Sequence, residues 1–276
     1  MDFYDELCQA IASDGAKRGV RTSPEEFQKF LSAVKPQQQP QPLQQPARAV
    51  VPDRMQPMPQ MPQRELPPEN LNNSVQDQIS PAVTPCNINS APLPGDWESL
   101  RAMVLNCQNC PLARTRQNAV FGEGDLRARL MFIGEGPGAE EDASGRPFVG
   151  AAGQLLDKMI AAMHLAREDV YIANIVKCRP PGNRMPGEDE AAACIGYLKK
   201  QIELVQPEVI VLLGGTALHF LLQVDGITRY RGRWQDYNNI PVMPTFHPAF
   251  LLRKAEAKRE AWHDLKLVMA KLGISI

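Results

Sequence analysis

The sequence predicts an α/β fold built on a mainly parallel, four-stranded sheet with helices on both faces. Two observations predict it. Short apolar runs suited to buried strands recur at 129–134, 170–176, 209–214 and, more weakly, 241–245. Segments of helical periodicity lie among and after them, at about 151–164, 188–206, 215–223 and 255–272. Strands that alternate with helices pair in parallel, because each crossover helix covers a face of the sheet and returns the chain to its starting edge. Ligands of such sheets bind beyond the carboxyl ends of the strands, so the residues just past those ends are the ones to read for chemistry.

Three compositional zones divide the 276 residues. Residues 1–34 read as a short helical element: Phe3, Tyr4, Leu7 and Ile11 fall on one helical face, and Ser23-Pro24-Glu25-Glu26 reads as an N-cap with proline at the first helical position. Residues 35–95 hold 14 of the chain's 25 prolines, interleaved with glutamines such as Gln37, Gln38 and Gln39. Such a segment cannot bury enough apolar surface to offset its ordering entropy and is expected to be a disordered tether. Residues 96–276 carry the globular pattern. A short amphipathic helix on a tether suits docking into a partner's groove, so a protein partner is expected for residues 1–34.

Formal net charge is −1, which does not announce a nucleic-acid binder; a local basic face would decide that instead. No apolar run approaches the ~20 residues that span a bilayer. The first residues carry Asp2, Asp5 and Glu6, unlike a secretory or transit leader. A soluble, cytoplasmic protein acting as a monomer is expected. Six cysteines are too few for a disulfide scaffold in a chain of this length.

Cys107 and Cys110 form a C-x2-C pair, followed at long range by Cys178 and then Cys194. A C-x2-C turn can offer two thiolates to one metal centre, and two distant cysteines can complete a tetrahedral set. Zinc and a 4Fe-4S cluster both accept four thiolates, and spacing does not separate them. Buried cysteines also serve simply as small hydrophobes.

Gly134-Glu135-Gly136-Pro137-Gly138 ends the first strand, and its glycines let backbone approach a planar ligand closely. It matches neither a P-loop nor the dinucleotide fingerprint. Gly145-Arg146-Pro147-Phe148-Val149-Gly150 places one aromatic ring between glycines. The second strand ends near Asn174. An asparagine amide can accept from the N3–H of a pyrimidine and donate to its O4. Cytosine offers the reverse pattern and would leave buried polar groups unpaired. The plainer alternatives are a core phenylalanine and a turn asparagine. His247, after the fourth strand and fixed by Pro248, is better placed for chemistry than a lone histidine usually is.

Together these segments resemble the family 4 uracil-DNA glycosylases, the iron–sulfur branch of the uracil glycosylase superfamily. The matching pieces are GEGPG at 134–138, GRPFVG at 145–150, NIVKCRPP at 174–181 and FHPAFLLR at 246–253, with the four cysteines in the family's relative positions. The resemblance spans about 97–272. It implies a three-layer α/β/α fold and hydrolytic removal of uracil from DNA. By this resemblance Asn174 reads the uracil edge, Phe148 stacks on the ring, and backbone N–H groups near Glu135 and Gly136 meet the uracil oxygens. His247 faces O2, where negative charge gathers. Glu141 and Asn183 position the hydrolytic water, with Glu140 and Asp142 as neighbouring carboxylates. Family 1 enzymes carry an aspartate in the first motif, which GEGPG lacks, so the water must be handled elsewhere. Leu251 is expected to fill the stack vacated by a flipped nucleotide, and Arg253 with Lys254 to meet phosphates. A 4Fe-4S cluster on Cys107, Cys110, Cys178 and Cys194 is implied as a structural staple.

Other classes remain at this level. One is a relative acting on other deaminated bases. Another is the branch that traps uracil covalently, although the basic loop expected there is missing before His247. A third is a non-catalytic iron–sulfur or zinc-organised binding module.

Overall fold

The computed structural model describes residues 93–275, so the expected element at 1–34 and nearly all of the expected tether at 35–95 lie outside the described residues. The elements, in chain order, begin with α1 (Trp97–Leu105), β1 (Glu123–Gly124), β2 (Leu130–Gly134), α2 (Ala139–Ser144), α3 (Ala151–Ala162) and β3 (Tyr171–Asn174). Next come α4 (Glu188–Val205), β4 (Val209–Leu213), α5 (Gly215–Leu222) and α6 (Ile227–Tyr230). The chain closes with β5 (Gln235–Tyr237), β6 (Ile240–Thr245), α7 (Pro248–Arg253) and α8 (Lys258–Lys271). Among the described residues no helix is long and apolar enough to cross a membrane.

The sheet runs in the order β1-β3-β2-β4-β6-β5. The four expected strands form its parallel centre, β3-β2-β4-β6. The expectation of four strands is corrected to six, because β1 and β5 add short antiparallel edges. Two- and three-residue strands are too short to show an apolar period. The β5–β6 hairpin turns through Asn238 and Asn239, both at positive φ (53° and 68°), which suits a two-residue primed turn.

Side chains along each central strand alternate between two cores. Met131, Ile133, Tyr171, Ala173, Ile210 and Leu212 pack toward α1, α4 and α5. Leu130, Phe132, Ile172, Val209, Val211 and Leu213 pack toward α3, α7 and α8. Both faces are therefore covered, giving three layers, and burial of both faces explains the near-continuous apolar strands. The parallel register aligns Gly134 with Asn174, and Leu213 with Thr245. All the central strands thus deliver their exits to one edge.

Asp264 on α8 fixes the last of these exits. Its fully buried carboxylate accepts from the Thr245 hydroxyl at 2.7 Å and from Arg231 Nε at 3.0 Å. Arg231 lies over the Phe246 ring, 5.2 Å from its centroid, so the strand end leading into His247 is clamped by charge and stacking together.

Candidate active site

The strand exits open into a cleft of about 460 Å³. Glu135, Gly136, Glu141, Phe148, Asn174, Asn183, His247 and Arg253 all line it. The cleft is assembled around Gly134. A Cβ there would lie 2.5 Å from Asn174 Oδ1 and 2.5 Å from Phe148 Cζ, closer than real atoms approach. The missing side chain lets an amide from β3 and a ring from the α2–α3 loop meet over the end of β2.

Asn174 is 2% exposed, and its Oδ1 is a buried polar atom with no hydrogen-bond partner among the described residues. An orphaned acceptor of this kind is expensive unless a ligand supplies the donor. The Asn174 backbone is held firmly: its carbonyl accepts from Lys177 Nζ at 2.9 Å, and Ile175 N–H donates to the Gly134 carbonyl at 2.9 Å.

Phe148 sits at φ +50°, an unfavourable backbone conformation for a bulky residue. Its surroundings impose it. Arg167 donates to the carbonyls of Phe148 and Pro147. Glu141 Oε1 accepts from both Val149 N–H and Gly150 N–H at 2.9 Å. Gly153 passes so close that a Cβ would lie 1.9 Å from the Phe148 carbonyl oxygen. The ring faces the His247 imidazole, with centroids 5.7 Å apart and planes 32° from parallel.

His247 caps α7, and its Nδ1 accepts from Ala249 N–H at 3.1 Å. The neutral ring therefore carries its proton on Nε2, as a donor. Burial, then Arg253, pull its pKa down from 6.5 to about 4, so the ring is uncharged at neutral pH. Gly214 makes room for it: a Cβ there would meet His247 Cβ at 3.0 Å.

The carboxylates of the α2 segment separate by role. Asp142 is buried and accepts from Gln117 N–H at 2.9 Å, tying α2 to the segment after the first cysteine pair. Glu141 Oε1 is filled by its two N–H donors, while Oε2 takes one from Gly138 at 3.0 Å and keeps a lone pair. Glu135 accepts from the Thr216 hydroxyl at 2.5 Å. Asn183 Oδ1 accepts from Arg179 Nε at 2.8 Å, leaving the amide NH2 as its other polar group.

One expected residue is misplaced. Leu251 is 1% exposed and packs in the core with Leu155, Met159 and Leu265. It cannot reach a base stack without emptying that core. The exposed apolar side chain of α7 is Leu252, at 49%.

The four described cysteines are all free thiols. Burial raises the Cys110, Cys178 and Cys194 thiols, the last to about 12, and the four sulfurs lie within electrostatic reach of one another. N–H donors point at three of them: Asn109 N to Cys107 Sγ at 3.5 Å, Arg116 to Cys178 Sγ at 3.0 Å, and Lys177 N to Cys194 Sγ at 3.3 Å. Among the described residues no group of three or more His, Cys, Asp or Glu side chains suits a single metal ion.

Sequence reasoning missed Lys177. It is 1% exposed, and Nζ donates to Gln201 Oε1 at 2.5 Å as well as to the Asn174 carbonyl. Gln201 in turn donates to the Phe121 carbonyl and to Tyr171 Oη. The available signal was a lysine inside an otherwise apolar strand exit. Arg184, joined to Glu190 by two hydrogen bonds of 2.8 and 2.7 Å, also went unread and also lines the cleft.

Two outcomes follow from this geometry. Gly134→Ala should push Asn174 and Phe148 apart and cut turnover about 100-fold, the scale of ångström-sized misplacement, and should lower thermal melting by an overpacking cost of about 1–3 kcal/mol; unchanged turnover would contradict the close packing. The His247 imidazole should contribute no step to a pH–rate profile near 6.5, its neutral form persisting until pH falls toward about 4. Its depressed folded pKa also means that the unfolded chain takes up the proton first, so this group's share of stability is lost as pH falls from 6.5 through about 4. A rate step near the ordinary histidine value that disappears in His247→Gln would contradict the assignment.

A family profile described as the uracil DNA glycosylase superfamily matches residues 121–266. The chain is 49% identical over 176 residues to the type-4 uracil-DNA glycosylase of Thermotoga maritima, covering 61% of this chain and 91% of the relative. It is 44% identical over 180 residues to the type-4 uracil-DNA glycosylase of Saccharolobus solfataricus, covering 62% of this chain and 83% of the relative. A type-5 uracil-DNA glycosylase of Pyrobaculum aerophilum is more distant, at 31% over 189 residues, covering 56% of this chain and 83% of the relative. With its strand-end asparagine, loop phenylalanine and helix-capping histidine gathered at one cleft, the chain belongs to the uracil DNA glycosylase superfamily and, within it, to the type-4 enzymes.

Proposed function

We propose that this enzyme hydrolyses the N-glycosidic bond of deoxyuridine in DNA, releasing uracil and leaving an abasic site at the start of base excision repair. The orphaned Asn174 Oδ1 at the centre of the cleft carries this reading. An acceptor there matches the N3–H of uracil. Cytosine would bring an N3 lone pair instead and leave both acceptors buried and unpaired, which a polar site rejects strongly.

The target nucleotide must leave the duplex, at a cost of a few kcal/mol in unstacking. Phe148 then stacks on the base and Asn174 reads its edge, with backbone near Glu135 and Gly136 against the uracil oxygens. As the C1′–N1 bond lengthens, its electron pair moves into the pyrimidine, and His247 Nε2–H donates to O2. A neutral donor held in place costs no reorganisation when the charge develops; one such donor contributes roughly 3–4 kcal/mol. The free lone pair of Glu141 Oε2 and the Asn183 amide hold the water that attacks C1′. The hydroxyl goes to the sugar and the remaining proton to the departing uracil, balancing the hydrolysis. Arg253 meets backbone phosphate, and Leu252, not Leu251, fills the vacated stack.

We assign Cys107, Cys110, Cys178 and Cys194 to a 4Fe-4S cluster, as type-4 membership implies. Four free thiols with N–H groups aimed at three sulfurs fit a cluster, whose thiolates gain from such hydrogen bonds. A cluster spreads its thiolates over several irons, so its ligands need not close on one point as they would around a single ion. When bound, it supplies a cross-link between the Cys107–Cys110 turn, the Cys178 loop and α4. A cytoplasmic setting, where thiols stay reduced, suits these ligands. Residues 1–34 are assigned to partner docking and 35–95 to a tether.

The test is release of uracil from an oligonucleotide by purified protein whose visible spectrum is recorded first. The expected protein is brown and active, Asn174→Ala is slowed roughly 100-fold or more, and removal of residues 1–92 leaves the rate nearly unchanged. An Asn174→Ala variant with full activity would overturn the base-reading assignment, and a colourless active protein would overturn the cluster.

A further inference from the structure

We infer that Met185 is a second apolar wedge, inserting into the DNA duplex beside the flipped nucleotide from a segment separate from Leu252. The inference rests on the proposed reading of the cleft as a base pocket and adds the way in which the duplex is held open.

Met185 is 64% exposed, the highest value among the large exposed apolar side chains of the described residues. Its backbone is nevertheless tightly held. Arg184 donates to the Met185 carbonyl at 3.0 Å while forming a bidentate pair with Glu190. Glu190 Oε2 also accepts from Gly187 N–H at 2.8 Å, and Pro186 fixes the backbone between them. Glu190 is itself anchored in the first turn of α4. The loop therefore holds a bare thioether in solvent on a stiff mount, where its apolar area is covered only when something binds.

The position of the mount identifies what binds. Arg184 lines the cleft, as does Arg253, the neighbour of exposed Leu252. Each exposed apolar side chain is thus adjacent in sequence to a cleft-lining arginine, on two segments that rim one cavity. Arg184 is held by Glu190, which leaves Arg253 to meet phosphate, and an apolar tip at the rim of such a cleft suits the faces of stacked bases. Methionine is among the side chains that wedge between base steps, and its flexible thioether adapts to whichever bases flank the lesion. A protein partner would find a single apolar tip beside a nucleotide-sized cleft, a poorer match.

The test compares uracil release from single-stranded DNA and from a U:G duplex of the same sequence. For Met185→Ala the ratio of single-strand to duplex rate should rise roughly tenfold or more, reflecting the lost apolar contact. Met185→Leu should restore the ratio, and Leu126→Ala, which alters an exposed apolar side chain with no cleft-lining neighbour in sequence, should leave it unchanged. A 2-aminopurine beside the uracil should brighten less on binding Met185→Ala than on binding the unaltered protein. An unchanged ratio, or an equal slowing on both substrates, would overturn the wedge. If the unaltered protein released no uracil from either substrate, the base-pocket reading itself would fail.

Discussion

The site depends on one close approach. Parallel pairing sets Gly134 beside Asn174, and the absence of a side chain at Gly134 lets the Asn174 amide and the Phe148 ring occupy the same small volume. Several neighbouring groups support that contact. Glu141 and Arg167 hold the phenylalanine loop in a backbone conformation it would not adopt alone. Gly214 and the Thr245–Asp264–Arg231 clamp bring the histidine to the same place. Rigid neighbours on both faces of the sheet leave little room for the three groups to relax apart.

The electrostatics of the cleft follow from burial more than from net charge. His247 is uncharged because it is buried and near Arg253, and the Ala249 N–H decides which nitrogen carries the proton. Lys177 connects this chemistry to the cysteine region. Burial brings its ammonium down to about 8, yet it binds the Asn174 carbonyl and Gln201 on a residue next to Cys178. Distortion at the sulfurs would therefore pass to the base-reading amide through a single side chain and one peptide.

The central sheet was legible because strands buried on both faces need unbroken apolar runs, and 129–134, 170–176 and 209–214 have them. The edges β1 and β5 were not, being too short or too polar to carry a period. Motif spacing brought eight of the expected site residues to one cleft but could not say which way a helical side chain faces, so Leu251 was expected to fill the vacated stack when its turn of α7 points it into the core. The roles of Gln201 and Arg167 arise from partners 10 to 80 residues away, which no local pattern encodes.

The central claim is that Asn174, Phe148 and His247 surround a single nucleobase. A crystal structure of the protein soaked with free uracil tests it most directly. The base should lie stacked on Phe148, with N3–H donating to Asn174 Oδ1 and O2 accepting from His247 Nε2. Uracil bound with its N3 edge turned away from Asn174, or bound in another cavity, would contradict it.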